Sequence, residues 1–116
     1  MILLLCTPFC QSNKMKHALK VTATAYNSLP GQTHGDPVIT AWGYKLEPGM
    51  KTIAVSRDLI PEGLTKGVKV KISGLPDTYT VTDKMNRRWK RRIDIYMGTD
   101  VKAAQDWGKR EVIIQW

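Results

Sequence analysis

The chain has 116 residues and carries 18 lysines and arginines against 10 aspartates and glutamates, a net charge of +8. That length holds one domain, and the charge points to anionic partners: nucleic acid, anionic lipid or an acidic wall polymer. Both cysteines, Cys6 and Cys10, fall in the first ten residues, which excludes a disulfide framework or a cysteine-based zinc site in the rest of the chain.

The first ten residues, MILLLCTPFC, form an apolar stretch. It is too short for a spanning helix, which needs about 20 apolar residues. It fits the apolar region of a secretory signal, although no basic residue precedes it. The expectation is an exported protein of the periplasm or cell envelope. In a lipoprotein, Cys6 or Cys10 would carry the acyl chain and tie the protein to the membrane. A hydrophobic tail without structure is the alternative. Residues 11–18 are polar and aperiodic, so residues 1–18 read as leader and linker, and the fold as residues 19–116.

Residues 19–26 (LKVTATAY) alternate and are rich in β-branched side chains, the mark of a strand. Residues 27–37 form a loop. Within it His34-Gly35-Asp36 reads as polar loop rather than metal site, since His17 is the only other histidine. Residues 38–43 (VITAWG) read as a short strand, 44–50 as a Pro-Gly turn, 51–56 (KTIAVS) as a strand and 57–67 as a turn-rich connection. Gly43 and Gly63 serve backbone turns. Residues 68–74 (VKVKISG) alternate apolar and cationic, as a strand with one wet face does. Residues 78–83 (TYTVTD) form a strand whose alternation sends Tyr79, Val81 and Asp83 to one face. A basic loop and the strand 92–96 (RIDIY) follow. Residues 100–108 favour a helix, with Asp100 as N-cap and Gly108 as stop, and 111–116 (EVIIQW) close the chain as a strand. Six or seven short strands with one short helix predict a small β-barrel.

Asp83 ends one predicted strand and Asp94 sits inside the next, on either side of a loop holding Lys84, Arg87, Arg88, Lys90, Arg91 and Arg92. Neighbouring strands would bring the two carboxylates together, with Ile93 and Ile95 on the face opposite Asp94. An aspartate paired with nearby arginines on a wet face is the structural alternative. The loop cations suit phosphate, and Trp89 among them suits a nucleobase or a sugar face. They also suit a wall polymer bearing carboxylates or phosphates.

Six segments, in this order, resemble the three-aspartate (3D) domain of membrane-bound lytic transglycosylase A and of bacterial stationary-phase survival proteins. They are VTATAY (21–26), ITAWG (39–43), IAVSRDLIPEG (53–63), VTDK (81–84), RIDIY (92–96) and DWGKREVIIQW (106–116). The resemblance covers about residues 20–116. It implies an all-β fold, a small six-stranded double-psi β-barrel with one short helix. It also implies cleavage of peptidoglycan between N-acetylmuramic acid and N-acetylglucosamine to a 1,6-anhydro product. In that reading Asp94 is the acid/base and Asp83 its partner, raising its pKa as a second nearby carboxylate does. Thr22, Tyr26 and Thr40 would line the groove. Ser56 stands where the family has its first aspartate, and DKMNRRWKRR replaces the family's glycine-rich stretch after the second. Trp42 is a further candidate for the groove, and Lys84, Arg88 and Trp89 for holding the polymer. No metal or cofactor is implied. The expected partner is peptidoglycan rather than nucleic acid, and the expected state a monomer. The rival reading is a peptidoglycan-binding module without catalysis on the same barrel.

Overall fold

The computed structural model describes residues 15–28 and 39–116. The apolar leader with Cys6 and Cys10, and the His34–Asp36 stretch, lie outside them. The elements in chain order are β1 (Ala18–Tyr26), β2 (Thr52–Val55), a 3₁₀ turn (Arg57–Leu59), β3 (Lys69–Ile72), β4 (Thr78–Lys84), β5 (Arg92–Tyr96), α1 (Val101–Trp107) and β6 (Arg110–Gln115).

Among the described residues the strands close into a barrel in the order β1-β5-β2-β4-β3-β6. The pairs β1–β5 and β2–β4 are parallel, and the other four are antiparallel. Closure leaves no free sheet edge. The period of two in each strand fills the interior: Val21, Ala23, Ile53, Val55, Val70, Ile72, Val81, Ile93, Ile95, Val112 and Ile114 form one core. Each buried aliphatic side chain of this kind stabilises the fold by about 1.5–3 kcal/mol.

Helix α1 follows its expected caps. The Asp100 carboxylate accepts from the Ala103 amide (3.0 Å), and Gly108 ends the helix at φ 64°. Trp107 seats the helix on β1: its indole N–H donates to Ala23 O (3.2 Å), and Arg110 stacks on the ring at 4.0 Å. Lys16 and His17, read as linker, are held by the barrel, since both amides donate to Trp116 O (2.9 and 2.8 Å) and His17 stacks on the Trp116 ring. The same indole meets Gly63, where φ is 106° and an added Cβ would lie 3.1 Å from the ring nitrogen.

Two expectations are corrected. Residues 39–43 are not a strand: Ile39 makes a single bridge to Lys45, and a tight turn lies between. The Thr40 carbonyl accepts from Gly43 N (3.0 Å) and its hydroxyl from Tyr44 N (3.0 Å), so these bonds close locally and not on a neighbouring strand. Nor do Tyr79, Val81 and Asp83 share a face. The β2–β4 register runs Ile53↔Val81, then Ala54↔Asp83, leaving Thr82 as an extra residue. Val81 and Thr82 are both buried, and Asp83 is turned to the outside.

Ile95 is fully buried between β1 and β2. Ile95→Ala should lower the unfolding free energy by about 2–5 kcal/mol. Ile113→Ala, at a site 43% exposed, should change it by less than about 0.5 kcal/mol. Urea denaturation of the two variants checks both.

Candidate functional site

The outer face of β5 carries Arg92, Asp94 and Tyr96, because Ile93 and Ile95 alternate into the core. Register then fixes the neighbours. Thr24 of β1 stands opposite Asp94, Ala54 of β2 stands on its other side, and Asp83 of β4 lies beyond Ala54. Thr24, Asp94, Ala54 and Asp83 thus form one row across four strands. Strand spacing puts the two aspartate Cα atoms roughly 9–10 Å apart. Ala54 contributes only a methyl group between them, and a longer side chain there would fill the space the carboxylates face.

Asp94 is half-buried, and the Thr24 hydroxyl donates to its Oδ1 (3.0 Å). Burial raises its pKa above the ordinary carboxyl range. The Thr24 hydrogen bond and Arg92 oppose the rise, and Asp83 adds to it least of the four. Withdrawal from water, rather than the second carboxylate, therefore gives Asp94 its affinity for a proton. Asp83 is tied down instead: its Oδ1 accepts from Ala41 N (2.9 Å) and Lys84 N (2.8 Å). It anchors the 40–43 turn beside the row.

Tyr26 and Tyr96 extend the site at one end, with ring centroids 5.4 Å apart. Burial, with Asp83, Asp94 and Tyr96 nearby, holds the Tyr26 phenol far above its ordinary pKa, so it stays a protonated donor. Its hydroxyl is buried and has no partner among the described residues. The Tyr96 hydroxyl is satisfied by Ser28 Oγ at 2.6 Å. At the other end, half-buried Thr22 stands opposite Arg92, whose guanidinium stacks on Trp89 at 4.0 Å, with Arg88 at 4.7 Å from the same ring.

The remaining candidates lie apart from this row. Lys84 ends β4 one residue past Asp83. Thr40 is buried and holds its turn, while Trp42 packs its half-buried ring against the core and lines a shallow cleft with Gly43, Tyr44 and Lys66. Ser56 does not line the groove. It is fully buried, and its Oγ accepts from Arg92 N (2.9 Å). Asp58 takes the neighbouring Arg91 amide on its Oδ2 (2.9 Å). Burial raises the Asp58 pKa, but Ser56, the Arg91 amide, its own amide and Lys90 together outweigh that and hold the carboxyl below its usual value.

Arg91 has φ 50°, the left-handed region, which costs a non-glycine residue about 1–2 kcal/mol. Three bonds hold it there: its amide donates to Asp58 Oδ2 (2.9 Å), its Nε to Lys20 O (3.0 Å), and its carbonyl accepts from Thr22 N (3.0 Å).

Sequence reasoning passed over Thr24, Tyr96 and Ala54, and took Arg92 only as one of the loop cations. Thr24 was within reach, since alternation from Thr22 and Tyr26 puts it on their face. Tyr96 lies two positions from Asp94 by the same rule. Ala54 gave no signal, because an alanine in a strand carries no chemistry of its own.

No family model matches this chain, and no curated protein does. Solved structures do. The Streptomyces papain inhibitor superposes with a TM-score of 0.60 at 19% identity, covering 87% of this chain and 94% of that one. The apo expansin of Clavibacter michiganensis superposes with a TM-score of 0.59 at 15% identity, covering 86% of this chain and 50% of that one, so this chain spans half the expansin's length. With the closed six-stranded topology, these neighbours define the chain as a double-psi β-barrel protein. At such identities the likeness is one of fold.

A carboxyl that binds its proton more tightly folded than unfolded loses stability as pH rises from the ordinary carboxyl range through its raised value. Asp94→Asn removes that loss. Urea unfolding near pH 7 should show the variant at least as stable as wild type, and the difference should narrow toward about pH 4. A variant clearly less stable than wild type at pH 7 would contradict burial as the cause of the shift.

Proposed function

We propose that this barrel acts on peptidoglycan as a lytic transglycosylase, cleaving the bond between N-acetylmuramic acid and N-acetylglucosamine to a 1,6-anhydro product. The observation that carries the reading is Asp94: a half-buried carboxyl with raised proton affinity, on the outer face of the barrel, oriented by Thr24 and flanked by hydroxyl-bearing side chains. Such a group is suited to give a proton to a glycosidic oxygen. As the C1–O bond breaks, the proton passes from Asp94 to the leaving oxygen. The sugar's own 6-hydroxyl then bonds to C1, and its proton returns to the Asp94 carboxylate. No water enters, so the paired carboxylates of a hydrolytic glycosidase, set at fixed spacing, are not required. Asp83 serves as a positioning residue through the Ala41 turn and adds a small electrostatic push. The Tyr26 phenol supplies a donor for the bound sugar.

In this reading the protein is exported to the cell envelope, works as a monomer and is held at the membrane if Cys6 or Cys10 is acylated. A second reading has its own support. Asp83 is engaged by two backbone amides, and Ser56 supplies no third carboxylate to the face. The same barrel also occurs in a protein described as a papain inhibitor. Both facts suit a module that binds the glycan without cutting it.

Mass spectrometry of purified peptidoglycan after incubation with the protein separates the two. Wild type should release anhydro-muropeptides and Asp94→Asn should release none. Thr24→Val, which removes one hydrogen bond to the acid, should slow release roughly tenfold. No product from wild type, with retention of both proteins on the insoluble wall, would leave the binding module.

A further inference from the structure

The cations of the β4–β5 loop are spread unevenly over the barrel. A cleft of about 330 Å³ opens between that loop and β1, lined by Lys20, Val21, Thr22, Lys90, Arg91 and Glu111. Lys20, Thr22 and Thr24 alternate along the outer face of β1, so the cleft ends at Thr22, one outward residue short of the Thr24–Asp94 pair. Thr22 lies about 7 Å along the strand from Thr24. Two acids lie close to the cations. Glu111 pairs with Lys20 at 3.1 Å, and Asp58 takes the Arg91 amide and has Lys90 near it. Lys90 is exposed, and no ion pair involves Lys90 or Arg91 among the described residues. Arg91 is the one described residue other than glycine at positive φ, its Nε is fixed to Lys20 O, and it lines this cleft as well as a second one shared with Asp58 and Glu62. Backbone held in a costly conformation by three separate bonds, presenting a pre-set guanidinium fork, is an arrangement suited to oxyanions.

We propose that the cleft formed by Lys20, Lys90 and Arg91 binds an oxyanion of the polymer strand that occupies the Asp94 face, either a phosphodiester or a carboxylate. The proposal rests on the glycan reading for the identity of the polymer, but not on cleavage. One strand would lie over Thr24 and Thr22, with its neutral sugar at Asp94 and its anionic substituent between Lys90 and Arg91. The cleft would then select strands that carry charge close to the reacting bond.

The test is co-sedimentation of the full chain with Gram-positive cell walls at low and moderate salt. Three wall preparations are compared: untreated, stripped of phosphodiester-linked polymer with hydrofluoric acid, and stripped of stem peptides with an amidase. Wild type should bind one stripped preparation roughly tenfold more weakly than the untreated wall, the size of one charge-assisted contact. Loss on acid treatment assigns the phosphodiester, and loss on peptide removal the carboxylate. Lys90→Ala with Arg91→Gly should abolish the difference, and glycine is suited to the left-handed backbone there. The single Lys90→Ala change, at an exposed site, should weaken binding to the untreated wall in the same direction if the double variant fails to fold. Asp94→Asn should keep the full difference even if it abolishes cleavage. Equal binding of wild type to all three walls would overturn the proposal. So would a Lys90→Ala protein with wild-type binding, or tighter binding of a single-stranded oligonucleotide than of untreated wall.

Discussion

The site depends on one slip in register between β2 and β4. Up to Ile53 and Val81 the two parallel strands pair residue for residue, and one step later Ala54 faces Asp83. Without the slip, Thr82 would stand opposite Ala54, and Asp83 would stand opposite Val55 and point into a core of aliphatic side chains. A carboxylate there, with no partner, would cost several kcal/mol or stay protonated. The bulge turns Asp83 outward and lines it up with Ala54 and Asp94. It also leaves Thr82 buried with its hydroxyl unpartnered. A local loss in packing quality is thus exchanged for a shared face, which is the common use of bulges beside functional sites.

Once that face exists, small residues decide what it can do. Ala54 keeps the two acids apart without covering either. The 40–43 turn, fastened by Asp83 through Ala41, bounds the same side of the row. Burial raises the proton affinity of Asp94, while Thr24 donates to it and moderates the effect. The two carboxylates resemble each other in sequence context, yet one holds backbone amides and the other is disposed to exchange a proton. Environment, not residue type, divides the roles.

Much of this architecture could be read from the chain itself. The strands with clean alternation, such as 92–96 with its two isoleucines facing in, fall where the period of two puts them. The helix keeps the Asp100 cap and Gly108 stop that composition announces. What escaped was whatever depends on partners distant in sequence. A bulge is invisible in TYTVTD, because the alternation continues unbroken on paper and the slip is imposed by β2. Residues 39–43 carry strand-forming side chains, but among the described residues no strand pairs with them and their hydrogen bonds close into a turn. Asp94 was found by its setting between isoleucines and by family resemblance, whereas the cause of its pKa shift could only be known once burial and the Ala54 spacer were in view.

Ser56 shows the same division of labour from the other side. Its position corresponds to an aspartate in the family the sequence resembles, yet here it is buried beneath the start of β5. The hydroxyl accepts from the Arg92 amide, and Asp58 accepts from the amide just before it, that of Arg91. An ionised carboxylate at this fully buried position would set a second negative charge close to Asp58. The hydroxyl therefore suits an architecture in which Asp58 is already committed to the amide of Arg91. Ser56 thus fixes the start of β5 at Arg92, while Asp58 holds the left-handed turn at Arg91 one residue earlier.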